Sequence, residues 1–195
     1  VITVKSSTST EIWKPFEEID SSLLDPNNFE RNLYKNVSGT KIIFEEINKK
    51  LNLAFRYCWT SSAKFGLVRK VSVENLSSSS VEVTVLDGCK NILPACVTAD
   101  FQNNNSVLLD AYKKTELDTE SNLAIFTVSS IVTDKAEPNE GLYANTCWFN
   151  TKDTPILDLD EKAATISRGK RPACFIEKNI KLNGNACETW YQVFD

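Results

Sequence analysis

The chain has 195 residues, of which 42% are hydrophobic and 25% charged, with a net charge of −4 and a pI near 5.1. This composition excludes a disordered chain, and no apolar run approaches the roughly 20 residues that span a bilayer. The acidic balance argues against nucleic acid as a partner, because such proteins normally carry a basic face.

Alternating apolar and polar residues dominate the chain and predict half-buried strands. Between positions 51 and 59 every odd residue is large and apolar, from Leu51 to Trp59. A strand at 41–47 precedes it, with a hairpin connection at 48–50. Further strands are predicted at 67–73, 81–86, 106–112, 123–133, 143–149, 173–177 and 189–194.

Helical signals are few. Short helices are predicted within 21–34, where Asp25-Pro26 suits a helix start, and at 158–165. Polar loops are predicted at 99–106 and 134–141, and Asp87-Gly88 reads as a turn dipeptide. The pattern predicts an all-β fold, an antiparallel sandwich with few short helices. We expect residues 1–39 to form an N-terminal extension with the first strands and 40–195 the sandwich domain.

Residue counts restrict the chemistry. Histidine is absent, which excludes Ser-His-Asp and Cys-His nucleophiles and histidine metal sites, so we expect no cofactor and no metal. Methionine is also absent, which predicts a piece of a longer polypeptide. Six cysteines without a CxxC pair leave free core thiols or three disulfides open, and free thiols are favoured. Three N-glycosylation sequons begin at Asn36, Asn75 and Asn104.

Several polar groups are candidate catalytic or metal-binding residues, and each also has an ordinary structural explanation. Glycoside hydrolysis needs two carboxyl groups about 5–9.5 Å apart. Turn and capping roles are favoured for the carboxylates that could form such a pair. These carboxylates are Asp87, Asp110, Glu137 and Glu140. The run 158–161 offers oxygen ligands to calcium, but it lacks a calcium-loop spacing and a solvated acidic turn is favoured.

Two further groups are open to a ligand. Tryptophan faces could stack on sugars, although core packing is their usual role. The basic turn 168–172 could meet an anion, but a solvated hairpin tip is favoured. The four tryptophans are Trp13, Trp59, Trp148 and Trp190.

A set of phrases between positions 40 and 195 carries a family resemblance. They are Tyr57-Cys58-Trp59-Thr60-Ser61-Ser62, Phe65-Gly66-Leu67-Val68-Arg69, Val73-Glu74-Asn75-Leu76-Ser77, Leu86-Asp87-Gly88-Cys89-Lys90-Asn91-Ile92-Leu93-Pro94, Asp110-Ala111-Tyr112-Lys113, Ala136-Glu137-Pro138-Asn139-Glu140, and Leu182-Asn183-Gly184-Asn185 with the residues that follow to Trp190. In order and spacing they resemble the N-terminal β-sandwich of bacterial carbohydrate-active enzymes with a six-hairpin (α/α) barrel, such as the cellobiose-phosphorylase-like glycoside hydrolase families.

The resemblance implies a galactose-mutarotase-like supersandwich that supports the catalytic barrel of a glycoside hydrolase or phosphorylase. It implies no catalytic residue in this chain, a glycan and the barrel domain as partners, no membrane span, and a periplasmic or extracellular location. Residues that would touch sugar are Asp110, Tyr112, Lys113, Glu137 and Glu140. The rival hypothesis is a secreted adhesion or receptor-like sandwich that binds a protein partner, and a third is an enzyme acting alone through carboxylates.

Overall fold

The computed structural model describes residues 1–5, 9–17, 28–130 and 143–195. Within these ranges the chain forms strands and one helix, in the order β1 (Ile2–Lys5), β2 (Thr10–Trp13), β3 (Phe29–Lys35), β4 (Lys41–Asn48), β5 (Leu53–Ser62), β6 (Gly66–Asn75), β7 (Val81–Lys90), α1 (Ala99–Ala111), β8 (Lys113–Asp118), β9 (Leu123–Val128), β10 (Asn145–Phe149), β11 (Ile166–Arg168), β12 (Ala173–Leu182) and β13 (Cys187–Phe194). The predicted all-β antiparallel class is confirmed.

The first of two compact units comprises Val1–Leu86 and Glu177–Val193. One sheet has the order β12-β7-β1-β2, and the other places β13-β6-β5-β4-β3 side by side. Both sheets supply fully buried apolar side chains, so they form a sandwich-like arrangement around a common core. These side chains include Ile2, Leu53, Val71, Val73, Val85 and Trp190.

The alternation predicted around positions 51–59 is present in β5. Phe55 and Tyr57 point to one face, where Tyr57 stacks on Phe44 with ring centroids 4.8 Å apart. Arg56 points to the other face, opposite Glu45 of β4 in the strand register. The strand therefore separates an aromatic layer from a charged layer, as the period of two requires.

The second unit comprises Asp87–Ile176 and Phe194–Asp195. Its strands lie in the order β11-β8-β9-β10, and α1 packs through Leu109 against Val97 and Val128. Asp87 and Gly88 continue β7 rather than forming the predicted turn. A Cβ at Gly88 would lie 2.2 Å from the Cys174 carbonyl oxygen, so the close approach of two backbones explains this glycine.

Two predictions between positions 99 and 112 are wrong. The strand predicted at 106–112 and the loop predicted at 99–106 are both replaced by α1. Thr98 caps that helix by accepting a hydrogen bond from the Phe101 N–H, and burial of Leu109 outweighs the weak helical propensity of the asparagine run.

The helices predicted within 21–34 and at 158–165 are also absent from the described residues. Residues 29–34 belong to the edge strand β3, whereas 21–27 lie outside the described residues. Residues 158–165 form bends and turns, in which Asp158 Oδ1 accepts from the Asp160 N–H and the Glu161 carbonyl accepts from the Ala164 N–H. The Asp158 side chain thus bonds a backbone N–H outside any helix. Of the strand predicted at 123–133, β9 covers Leu123–Val128, and residues 131–133 are not described.

Candidate functional site

Two of the predicted sugar-contact residues meet where α1 ends. Tyr112 forms the C-cap, so the helix passes directly into β8 and brings Asp110 beside Lys113. Lys113 Nζ lies 2.6 Å from Asp110 Oδ1, and the Lys113 side chain is only 2% exposed. A buried ammonium requires such partners, because burial without them carries a large desolvation cost.

Gln102 and Arg171 complete this arrangement, which we call the Asp110 cluster (Gln102, Asp110, Lys113 and Arg171). Gln102 Nε2 donates to Asp110 Oδ1 at 3.1 Å, and Gln102 Oε1 accepts from Lys113 Nζ. Arg171 Nε donates to Asp110 Oδ2 at 3.0 Å. One carboxylate is thus held between two cations.

The electrostatics of the cluster keep Asp110 ionised. Burial acts to raise the pKa of Asp110, but hydrogen bonds from Lys113, Arg171 and Gln102 outweigh it, so the pKa lies below its ordinary value. At neutral pH this carboxylate is therefore an acceptor and a counter-ion, and it is unsuited to donate a proton as a general acid.

A cavity of about 200 Å³ opens beside the cluster. It is smaller than the roughly 300–1,000 Å³ of typical small-molecule pockets, so it suits one ring or one end of a ligand. Arg171 is half exposed at this cavity. Asn91 and Asn103 also line it, and both amide side chains lack a hydrogen-bond partner among the described residues. Within the described ranges, the lining residues are Asn91, Leu93, Ala99, Gln102, Asn103, Lys113 and Arg171.

The predicted site residues have different outcomes. Asp110 and Lys113 come together, whereas the half-buried Tyr112 holds the helix end, where its carbonyl accepts from the Ser129 N–H. Glu137 and Glu140 lie outside the described residues. That any of these residues touches sugar stays a prediction.

Sequence reasoning missed the other members of the site. Gln102 and Asn103 were assigned to a surface loop, and Asn91 was assigned no role. The one signal for Arg171 was its place in a basic turn. The structure commits two cations of that turn to ion pairs, Arg171 with Asp110 and Lys170 with Asp158.

Other candidate chemistry finds little geometric support. Among the described residues, no three side chains of the His, Cys, Asp or Glu type are placed to hold a metal ion. Trp13 and Trp190 are buried in the core at 4% and 0% exposure, while Trp59 and Trp148 are half buried. Core packing therefore accounts for two of the four tryptophans.

The cysteines and sequons bear on the adhesion hypothesis. All six cysteines are free thiols. The pKa of the Cys174 thiol is raised well above its ordinary value, first by a hydrogen bond with Cys147 and then, to a smaller extent, by burial. Asn75, the acceptor of one sequon, is 1% exposed. The lack of disulfides weakens the hypothesis of a disulfide-linked adhesion module, whereas the sequon asparagines Asn36 and Asn104 are exposed.

No family model and no curated protein matches the chain. Three solved structures resemble it in part. One is assigned as a kojibiose phosphorylase from the human microbiome (TM-score 0.43, 7% identity, 99% of this chain and 21% of that chain). Another is a heparinase III (TM-score 0.35, 10% identity, 85% and 21%). The third is a 4-alpha-glucanotransferase from Thermococcus litoralis (TM-score 0.30, 10% identity, 85% and 22%).

These neighbours are carbohydrate-active enzymes, and the chain spans about a fifth of the length of each. At this identity and TM-score the similarity carries no argument about the site. In the part of the chain that is described, no helix is both long and apolar enough to cross a membrane.

Proposed function

We propose that this chain is a non-catalytic β-sandwich module of a carbohydrate-active enzyme, a glycoside hydrolase or phosphorylase, and that the cavity beside the Asp110 cluster contacts the glycan. The observation that carries the proposal is the set of unused planar groups at the cavity: the Asn91 and Asn103 amides and the terminal nitrogens of Arg171. The family resemblance of the sequence supports the same assignment.

Planar amides and guanidinium groups suit sugar recognition, because they can bond two neighbouring hydroxyl groups at once. The rigid floor of the cavity adds to this suitability. Lys113 donates to Gln102, and both donate to Asp110, so little side-chain entropy remains to be lost when a ligand binds. Such a preformed polar cavity favours a small, hydroxyl-rich ligand over a large apolar one.

The same cluster supports the non-catalytic part of the proposal. Glycoside hydrolysis pairs an ionised carboxylate with a protonated one. Asp110 is the single carboxylate of the cluster and its pKa is lowered, so the cluster offers no general acid of this kind. The acid and base would come from the barrel domain of the parent enzyme, with which the module would pack.

Binding of oligosaccharides to the 195-residue chain tests the proposal. Isothermal titration calorimetry would use a neutral β-linked glucose trisaccharide and trigalacturonate, and a reducing-end assay would follow cleavage of both. We expect binding of at least one sugar and no cleavage. Binding of neither sugar, or cleavage by the chain alone, contradicts the proposal.

A matched pair of variants localises the binding. Asn103→Leu removes an amide that lines the cavity, and the expected result is about fivefold weaker binding from the loss of one neutral hydrogen bond. Asn104→Leu changes the neighbouring exposed amide, which does not line the cavity, and should leave the affinity unchanged. Equal effects of the two changes would contradict a binding site in this cavity.

A further inference from the structure

We propose that the cavity beside the Asp110 cluster selects acidic sugars by binding their carboxylate or sulfate group. This inference rests on the proposed function and adds the ligand class. Its structural basis is the placement of charge: the cationic residues Lys113 and Arg171 line the cavity, and no carboxylate among the described residues does.

The charge count of the cluster favours an anion. Lys113 and Arg171 contribute two positive charges, and Asp110 offsets one of them, so the cluster keeps a net charge of +1. The chain as a whole has a net charge of −4, so this positive centre is a local exception to an acidic protein. An anionic group placed in the cavity would complete the neutralisation that Asp110 begins.

Both cations of the cluster have N–H donors that are not used within it. Lys113 Nζ donates to Gln102 and Asp110, and its third N–H has no acceptor among the described residues. Arg171 bonds Asp110 through Nε, and its terminal nitrogens find no acceptor in the described ranges. The half-exposed guanidinium edge of Arg171 can donate to the two oxygens of a carboxylate, and the buried ammonium of Lys113 adds positive charge behind it.

The Asn91 and Asn103 amides favour an acidic sugar over a free inorganic anion as the ligand. Asn91 and Asn103 line the same cavity and carry no charge, so they suit the ring hydroxyls of a sugar whose acidic group lies at the cations. A site for a small inorganic anion would need only the cations. The combination therefore indicates a ligand with both an acidic group and hydroxyls.

A carboxyl-matched ligand pair tests the inference. Isothermal titration would compare trigalacturonate with its carboxyl-reduced, neutral form, each at 20 and 500 mM NaCl. We expect the acidic sugar to bind about tenfold more tightly at low salt, with the difference shrinking at high salt. Sodium sulfate and sodium phosphate, titrated alone, serve as the free anions.

Two variants assign the preference to the cluster. Arg171→Gln keeps hydrogen-bonding capacity but removes the charge, and it should weaken trigalacturonate binding about tenfold, well beyond its effect on binding of the neutral form. Arg168→Gln is the matched control, because Arg168 is an exposed arginine of the same turn that does not line the cavity. Thermal unfolding of each variant checks that the fold is retained, and Arg171→Lys, which keeps the charge, should show an intermediate loss.

The outcomes separate this inference from the proposed function. Equal affinity for the acidic and neutral sugars overturns the inference and leaves the proposed function standing. An equal loss in Arg168→Gln and Arg171→Gln also overturns it, because general surface charge would explain the binding. If neither sugar binds, the proposed function fails, and sulfate or phosphate binding in that case shows a site for free anions only.

Discussion

The two units carry ion clusters of opposite composition. In the first unit, Arg56 of β5 donates to Glu45 and Glu74 on the neighbouring strands, which we call the Arg56 cluster. In the second unit, Asp110 accepts from Lys113 and Arg171. One cluster holds a cation between two carboxylates, with net charge −1, and the other holds a carboxylate between two cations, with net charge +1.

The comparison shows how similar ion pairs serve different roles. Within the Arg56 cluster, burial acts to raise the pKa of Glu45, but hydrogen bonds from Arg56 and Asn32 outweigh it and lower that pKa. Its ion pairs link adjacent strands on one face of the sheet. The Asp110 cluster leaves donors unused at a cavity, so only its surplus charge is positioned to attract an anionic ligand.

The largest effect is expected from Lys113→Met. Removing a cation that is 2% exposed leaves Asp110 with a single charged partner, and we expect the free energy of unfolding to fall by about 3 kcal/mol. Urea denaturation measures the change. In the double variant Lys113→Met/Asp110→Asn, much of the loss should be recovered, because the carboxylate that lost its buried cation is replaced by a neutral amide. A double variant as unstable as the single one would assign the loss to packing.

Arg56→Met should have the next largest effect. The change leaves Glu45 and Glu74 close together without their shared cation, and we expect a loss of about 2 kcal/mol in urea denaturation. The effect is smaller than at Lys113 because the Arg56 side chain is 30% exposed and water screens the charges. A loss larger than that of Lys113→Met would reverse the ranking of the two clusters.

Acid should weaken the contribution of Asp110. Its folded pKa is lowered, so the ionised group stabilises the fold above its unfolded pKa of about 3.9, and this stabilisation disappears as pH falls through the folded pKa. The difference in stability between the wild type and Asp110→Asn should therefore shrink from pH 6 to pH 3. A constant difference across that window would show that the carboxylate charge is not responsible.

The smallest effect is expected from Lys49→Met, which supplies the surface control. Lys49 and Glu30 are about half exposed and 3.6 Å apart, so we expect a change of no more than about 0.5 kcal/mol. Thermal and urea unfolding should both remain close to the wild type. A loss comparable to that of Arg56→Met would mean that burial does not distinguish the clusters from ordinary surface pairs.

The sequence predicted the strands better than the site, for a physical reason. Alternation is local, so strands such as β4, β5 and β6 could be placed within a few residues. Helix α1 could not, because its residues have weak intrinsic preference and it depends on the Thr98 cap and on burial of Leu109.

The site shows the same limit at longer range. Asp110 and Lys113 are three residues apart and were predicted together. Arg171 is 61 residues from Asp110, and no period or motif in the sequence connects them. Only tertiary structure brings the second cation to the carboxylate, so the charge surplus of the cluster could not be read from the sequence.

The buried sequon also affects how the protein can be produced. Asn75 Nδ2, the atom to which a glycan would attach, donates instead to the carbonyls of Ser79 and Asn183, at 2.7 and 3.0 Å. A sugar added there during synthesis would occupy the space in which the β6–β7 and β12–β13 connections meet. A secretory eukaryotic host could thus trap the chain before it folds, whereas a host lacking this modification, or the variant Ser77→Ala, would avoid the obstruction.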